Sequence, residues 1–339
     1  MTTIDPARLE ETDLPAETHA LAAAGAKIWL LGLVAAASWV LAFAIIEFWP
    51  EILPQPYGRE LGVLALVVAI ALVLVVATGT LLGHAAAAIR YYGPWLIVVA
   101  LALSAWEIVT AKTGLLPVPF FSSPQSILEV FLDDWDRLGL SVLYSVLLLA
   151  KGYFFGALAG FITGVTIGWS RAASYWVHPV LRLIGPLPAT AWLPLAFFIF
   201  PSSGSASVFL IALATAFPVT ILTWSGIASV NKDYYDIART LGAKPLFLIF
   251  KVAVPAALPH VFVGLFMGLG TSFAVLVVAE MLGVKAGLGW YLQWAQGWAA
   301  YNNMYAALLV MALMCSSLIT ILFRVRDWTL SWQKGLVRW

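Results

Sequence analysis

Asn231-Lys232-Asp233-Tyr234-Tyr235-Asp236-Ile237-Ala238-Arg239-Thr240-Leu241-Gly242-Ala243-Lys244-Pro245 is the longest polar interruption in an otherwise hydrophobic chain. Asn231 can cap a helix start, Asp233 and Asp236 suit the positive end of that helix, and Gly242 fits the position just past its end. Pro245 can then open a second short helix, followed by Val254-Pro255-Ala256-Ala257-Leu258-Pro259. Tyr234, Ile237, Ala238 and Leu241 fall on one face of the first helix, so a polar segment presents apolar groups that need a partner. A groove on another protein would satisfy them.

The runs on either side set the solvent. Of 339 residues, 62% are hydrophobic and only 10% charged, which places most of the surface in lipid rather than water. The 16 Trp and 18 Pro agree, since Trp favours bilayer interfaces and Pro is tolerated where neighbouring helices satisfy the freed carbonyls. A net charge of +1 gives no reason to expect nucleic acid as a partner. Cys315, the only cysteine, excludes an intrachain disulfide and a cysteine metal cluster, and no metal site is expected. Runs long enough to cross a hydrocarbon core of about 30 Å lie near 27–49, 61–89, 94–112, 140–169, 177–201, 205–230, 260–284 and 304–323. These eight candidate helices define an all-α integral membrane protein, with 177–201 interrupted by Pro186, Pro188 and Pro194.

Placing both termini in the cytoplasm puts most lysines and arginines inside, among them Arg171, Arg182, Lys232, Arg239, Lys244, Lys251, Arg324 and Arg326. Residues 1–26 are acidic and lack the basic start of a signal peptide, so they read as a cytoplasmic tail, as does 331–339. On the opposite side, Ser123-Pro124 looks like a cap followed by a first-turn proline. The stripe Ile127, Leu128, Phe131, Leu132 and Trp135 then suggests a helix lying in the outer interface.

Gly152, Gly156, Gly160, Gly164 and Gly168 recur every four residues and draw a bare ridge up one helix, where a second helix can approach closely. Glu107, Lys151 and Glu280 lie within apolar spans, where an unpaired charge costs at least about 2.5–3.5 kcal/mol. They are expected to face one another or a polar cavity, either fixing helix register or offering Lys151 to a passing anion. The proline-broken stretch 185–194 exposes backbone at membrane depth, so Pro188, Thr190 and Trp192 are candidates for a pathway wall, against the alternative of a packing kink. His84, His178 and His260 fall near expected cytoplasmic edges and suit hydrogen bonding better than metal ligation.

The loop resembles the EAA loop of binding-protein-dependent importer permeases, through Asp236-Ile237-Ala238-Arg239-Thr240-Leu241-Gly242-Ala243 and the following Val254-Pro255-Ala256-Ala257-Leu258-Pro259. The nitrate, sulfonate, taurine and bicarbonate branch of these type I ABC importers is also similar at Trp106-Glu107-Ile108, at the Lys151 and glycine span, at Pro186-Leu187-Pro188-Ala189-Thr190-Ala191-Trp192-Leu193-Pro194, at Phe217-Pro218 and at Ala279-Glu280-Met281-Leu282-Gly283. The resemblance covers roughly residues 94–330. It implies a six-helix permease core over 93–330, a coupling loop over 231–259, and two additional N-terminal transmembrane helices over 27–92 that brace the core or bind another partner. It also implies that Tyr234, Asp236, Ile237, Ala238, Leu241, Gly242, Ala243 and Pro255 engage an ATPase. Where the family loop usually begins Glu-Ala-Ala, this chain keeps the acid as Asp236 but enlarges the next residue to Ile237.

The implied assembly is a homodimer of permeases in the bacterial inner membrane, with a periplasmic solute-binding protein above and two ABC ATPase subunits below. ATP and Mg would be held by those ATPases, and no cofactor by this chain, which lacks a phosphate-binding Gly-x-x-x-x-Gly-Lys-Ser/Thr loop and is not expected to be an enzyme. The cargo would be a small anion, moved by alternating access about the glycine face. A secondary transporter using Glu107 and Glu280 as proton carriers is the competing class, but it leaves the loop without a purpose. An intramembrane enzyme finds no paired Asp, His-rich cluster or Ser/His arrangement.

Overall fold

In hydrocarbon a helix satisfies its own backbone polar groups, so long runs of Leu, Val and Ala leave little else available. The computed structural model, which describes residues 29–78 and 89–333, is accordingly helical, with no strand among those residues. The expected tail over 1–26, residues 79–88 with His84, and residues 334–339 lie outside the described part.

The chain divides into two compact units, residues up to Leu128 and residues from Glu129 onward. The first contains α1 (Leu30–Phe48), α2 (Gly58–Thr78) and α3 (Gly93–Glu107), the last running on through a π turn, Ile108–Lys112. Alanines let the helices approach closely: Ala35, Ala36, Trp39 and Ile46 of α1 share a core with Leu61, Ala65, Ala69 and Leu72 of α2 and with Ala100 of α3. Trp39 Nε1 donates to the Leu96 carbonyl at 3.1 Å and ties α1 to α3. α4 (Pro124–Asp133) starts as the sequence suggests, with Ser123 Oγ accepting from the Ser126 N–H at 3.4 Å and Pro124 in the first turn. The boundary between the units falls within α4, because α3 packs on α1.

The second unit contains α5 (Trp135–Trp169), α6 (Arg171–Ile184), a 3-10 turn (Ala189–Trp192), α7 (Leu193–Ile199), α8 (Ser203–Ala228), α9 (Lys232–Thr240), α10 (Pro245–Phe247), α11 (Val254–Gly283), α12 (Leu288–Gly297) and α13 (Tyr301–Thr329). α8 lies between α5 and α11, and glycines explain how three long helices come so near. A Cβ built on Gly152 would stand 2.5 Å from Ile211 Cβ, and one on Gly164 2.6 Å from Thr223 Cβ. Gly156 and Gly160 meet the Ala212 and Ala216 carbonyls, and Gly168 meets Ile227, so all five ladder positions press on α8. From α11, Gly264 meets Val219 and Gly268 meets Thr215 on the same helix. The ladder therefore binds two helices of one chain together. All five ladder positions are thus taken up within this chain.

Among the described residues, seven helices are long and apolar enough to span a membrane, and α6 with the 189–199 segment makes an eighth if that pair, bent by 87°, counts as one span. Seven of the expected runs overlap these helices and the 177–201 run overlaps the bent pair, while the end of the 61–89 run lies outside the described residues. The largest difference is the seventh, continuous from Pro245 to Gly283 over 39 residues rather than starting near 260. Pro255 follows directly on the π turn Leu248–Ala253, whose altered register interrupts the regular hydrogen-bond ladder where proline has no N–H to give.

Candidate functional site: a partner-seeking helix, two buried carboxylates and a broken span

Asn231 caps α9 through its side-chain oxygen, which accepts the Asp233 N–H at 3.0 Å. At the other end Gly242 adopts φ +80°, its N–H reaches the Arg239 carbonyl at 2.9 Å, and the Ala243 N–H reaches the Ala238 carbonyl at 3.0 Å. Those two bonds are a Schellman motif, which needs a left-handed residue at Gly242. The helix is anchored on one side only. Tyr235 meets Trp169 of α5 edge-on at 5.9 Å and packs with Ile227, Ala253 and Ala257. The opposite side carries Tyr234, Ile237 and Leu241, exposed to 58%, 60% and 82%. Ala238, Ala243 and Pro255 are half-buried, while Asp236 is exposed and pairs with Arg239 at 3.1 Å. A rigidly held helix thus presents an apolar face that nothing in its own unit covers.

The buried charges have partners the sequence did not suggest. Glu280 ends α11 and accepts from Ser145 Oγ at 2.7 and 2.9 Å and from the Gly289 N–H at 2.8 Å. Ser145 Oγ in turn accepts the Leu288 N–H at 2.8 Å. The carboxylate therefore lies at the N-terminus of α12, where peptide N–H groups and the helix dipole favour negative charge. Gly287, at φ +113°, and Gly289 let the loop wrap it, since a Cβ on either would press on the Glu280 side chain. Lys151 is exposed on α5. It takes no part in this latch, contrary to the expected pairing.

Glu107 is met by Lys112 at 3.4 Å, and Lys112 is also 3.6 Å from Glu51. Gln125 Nε2 donates to Glu107 Oε1 at 3.1 Å and to Glu51 Oε1 at 3.0 Å. Lys112 Nζ additionally donates to the Ile46 and Trp49 carbonyls at 3.0 and 2.8 Å. It thereby holds the C-terminal end of α1, where a cation is favoured. In the sequence Lys112 reads as a loop charge at the end of a span; the π turn brings it inward.

The expected break exists. After Ile184 the chain turns through Gly185-Pro186-Leu187-Pro188 and a single 3-10 turn before α7 resumes. Pro188 is exposed and Thr190 half-buried, and Trp192 carries a buried Nε1–H that lacks an acceptor among the described residues. Among residues the sequence reading missed, Tyr291 OH donates to Asp134 at 2.6 Å and accepts from Asn303 at 2.6 Å, linking α12 and α13 to the start of α5. Burial raises the Tyr291 phenol above its ordinary value, so it stays a donor at working pH. His178 meets Trp224 edge-on at 4.4 Å. His260 packs against Gly226.

These features define a multi-pass α-helical membrane protein that presents a capped polar helix with an uncovered apolar face. The sequence profile described as "Binding-protein-dependent transport system inner membrane component" matches residues 152–331, more than half of the chain, and the chain belongs to that family. It is similar to the nitrate import permease protein NrtB of Synechococcus elongatus, 29% identical over 218 residues, covering 62% of this chain and 76% of the relative. The putative aliphatic sulfonates transport permease protein SsuC of Bacillus subtilis is 28% identical over 222 residues, covering 65% and 80%. The bicarbonate transport system permease protein CmpB of Synechococcus elongatus is 30% identical over 228 residues, covering 64% and 79%. The family match takes in the ladder, the break, the polar loop and Glu280, but not Ser145, α1, α2 or α3.

Proposed function

We propose that this chain is the membrane-spanning subunit of an ATP-driven importer of small anions, working as a homodimer in the bacterial inner membrane with both termini cytoplasmic. Two ATPase subunits, which bind ATP and Mg, dock on α9, and a periplasmic solute-binding protein delivers the cargo. The observation that carries this reading is the exposed apolar face Tyr234, Ile237 and Leu241 on a helix capped at both ends and anchored through Tyr235. A helix laid into a groove is the economical way to cover such a face. The names of the relatives support nitrate, sulfonate or bicarbonate as the cargo class.

In this reading the α5, α8 and α11 assembly moves as one block. Nucleotide-driven closure of the ATPases pushes α9, and the block rocks between inward- and outward-facing states. The break at 185–194, with Pro188, Thr190 and Trp192, forms part of the pathway wall, and exposed Lys151 offers positive potential to the anion. The helices over 27–92 form an accessory pair, fastened by Lys112 to the first span of the 93–330 core.

Gentle detergent extraction from the native host is expected to bring an ATPase down with the chain. Gly242→Asp is expected to abolish ATP-driven uptake while the protein still inserts, because a side chain at the left-handed position loosens the cap and sets a carboxylate beside the apolar face that docks. Normal uptake by that variant would count heavily against the coupling role. Titrating the solute-binding protein that co-purifies with the complex with nitrate, bicarbonate, sulfonates and carboxylates identifies the cargo.

A further inference from the structure

A cleft of about 1120 Å³ opens beside α6, and its charge is one-sided. Arg171, His178 and Arg182 line it, and their spacing of seven and then four residues sets them along nearly one line of the helix. At about 1.5 Å per residue this row runs roughly 16 Å. No carboxylate stands among the described residues that line it. Its other walls are largely apolar, formed by residues such as Ile221 and Trp224. Cationic side chains against low-dielectric walls concentrate anions, and a guanidinium fork matches the paired oxygens of a carboxylate, sulfonate, nitrate or phosphate.

The ends of the cleft are also informative. Pro186 lines one end, at the break in the span, and Trp169 lines another part, the same ring against which Tyr235 of α9 packs. His178 is held in place by its edge-on contact with Trp224 at 4.4 Å. We propose that this cleft is an oxyanion-binding vestibule, in which Arg182 and His178 hold the anion next to the proline break and Arg171 holds it next to the coupling helix. The assignment stands independently of the ATPase reading, because it concerns the cleft in the resting chain.

Ser174 lines the same cleft, and Cys315 is the sole native thiol, so a single reporter can be installed. Ser174→Cys in a Cys315→Ser background is reconstituted in lipid nanodiscs without nucleotide. It is then modified in parallel by an anionic sulfonatoethyl and a cationic trimethylammonioethyl methanethiosulfonate. Relative to glutathione, the anionic reagent is expected to be favoured about tenfold or more. Arg171→Gln with Arg182→Gln is expected to bring that preference down to the glutathione value, and the corresponding double lysine variant to retain it.

Slowing of the reaction by millimolar nitrate or methanesulfonate in phosphatidylcholine discs identifies a free anion as the occupant. Slowing that requires phosphatidylglycerol identifies a lipid headgroup at the same oxyanion site. A glutathione-like ratio with both arginines in place, or protection by neither anion source, overturns the proposal while leaving the docking of α9 untouched.

Discussion

Glu280 shows how a single side chain changes meaning once its surroundings are known. A buried carboxylate in an apolar span suggests a proton carrier or a cargo contact. Here both oxygens are taken up by Ser145 and by the backbone at the start of α12. Glu280→Gln keeps an oxygen that can accept from the Gly289 N–H and the Ser145 hydroxyl, so it is expected to retain most ATP-driven uptake; a proton carrier would lose it. Ser145→Ala and Glu280→Ala should each lower the unfolding temperature in detergent, and the double variant should cost clearly less than the sum, because the two groups share one network. Lys112→Met strands Glu107 and Glu51 beside each other and frees two α1 carbonyls, an expected loss of about 3–5 kcal/mol, read as early unfolding of residues 29–128 by hydrogen exchange. The sequence announced Glu107 and Glu280 as anomalies, since charges are conspicuous in lipid. It could not announce their partners. Ser145 lies 135 residues from Glu280, and a serine within a span carries no signal of its own.

At the scale of the element, the ladder separates glycines that matter from those that do not. Gly156 and Gly160 press directly on the α8 backbone, whereas a Cβ on Gly139 or Gly270 would meet nothing within 4 Å. Gly156→Val is expected to prevent stable insertion or to cost more than the usual overpacking penalty of about 1–3 kcal/mol. Gly139→Ala and Gly270→Ala should express and melt like the unaltered protein. The spacing of the five glycines was enough to predict a close helix approach, because a repeat of four holds one face along a helix. It could not say which helix would come, or that it would belong to the same chain. Helix existence was legible from apolar length alone, as was the break at Pro186 and Pro188. The early start of the 245–283 helix was not, because Pro255 and Pro259 suggest interruptions, whereas the helix meets Pro255 just after the π turn and runs on through Pro259.

At the largest scale, the second unit is a block of three helices packed through glycine, with α9 as an exposed handle. That helix was the most legible local structure in the sequence. A polar stretch with Asn231 before it and Gly242 after it states its own boundaries, and its apolar face stands out in a polar setting. Burial in a partner and position on the cytoplasmic side are claims about the assembly, and they can be measured together. Leu241→Cys in a Cys315→Ser background, probed with a membrane-impermeant maleimide, is the most direct measurement. The account predicts rapid labelling in inside-out vesicles that lack the ATPase, strong protection when the ATPase is co-expressed, and no labelling from the periplasmic side of intact spheroplasts. Labelling from the periplasmic side, or equal labelling with and without the ATPase, would contradict it.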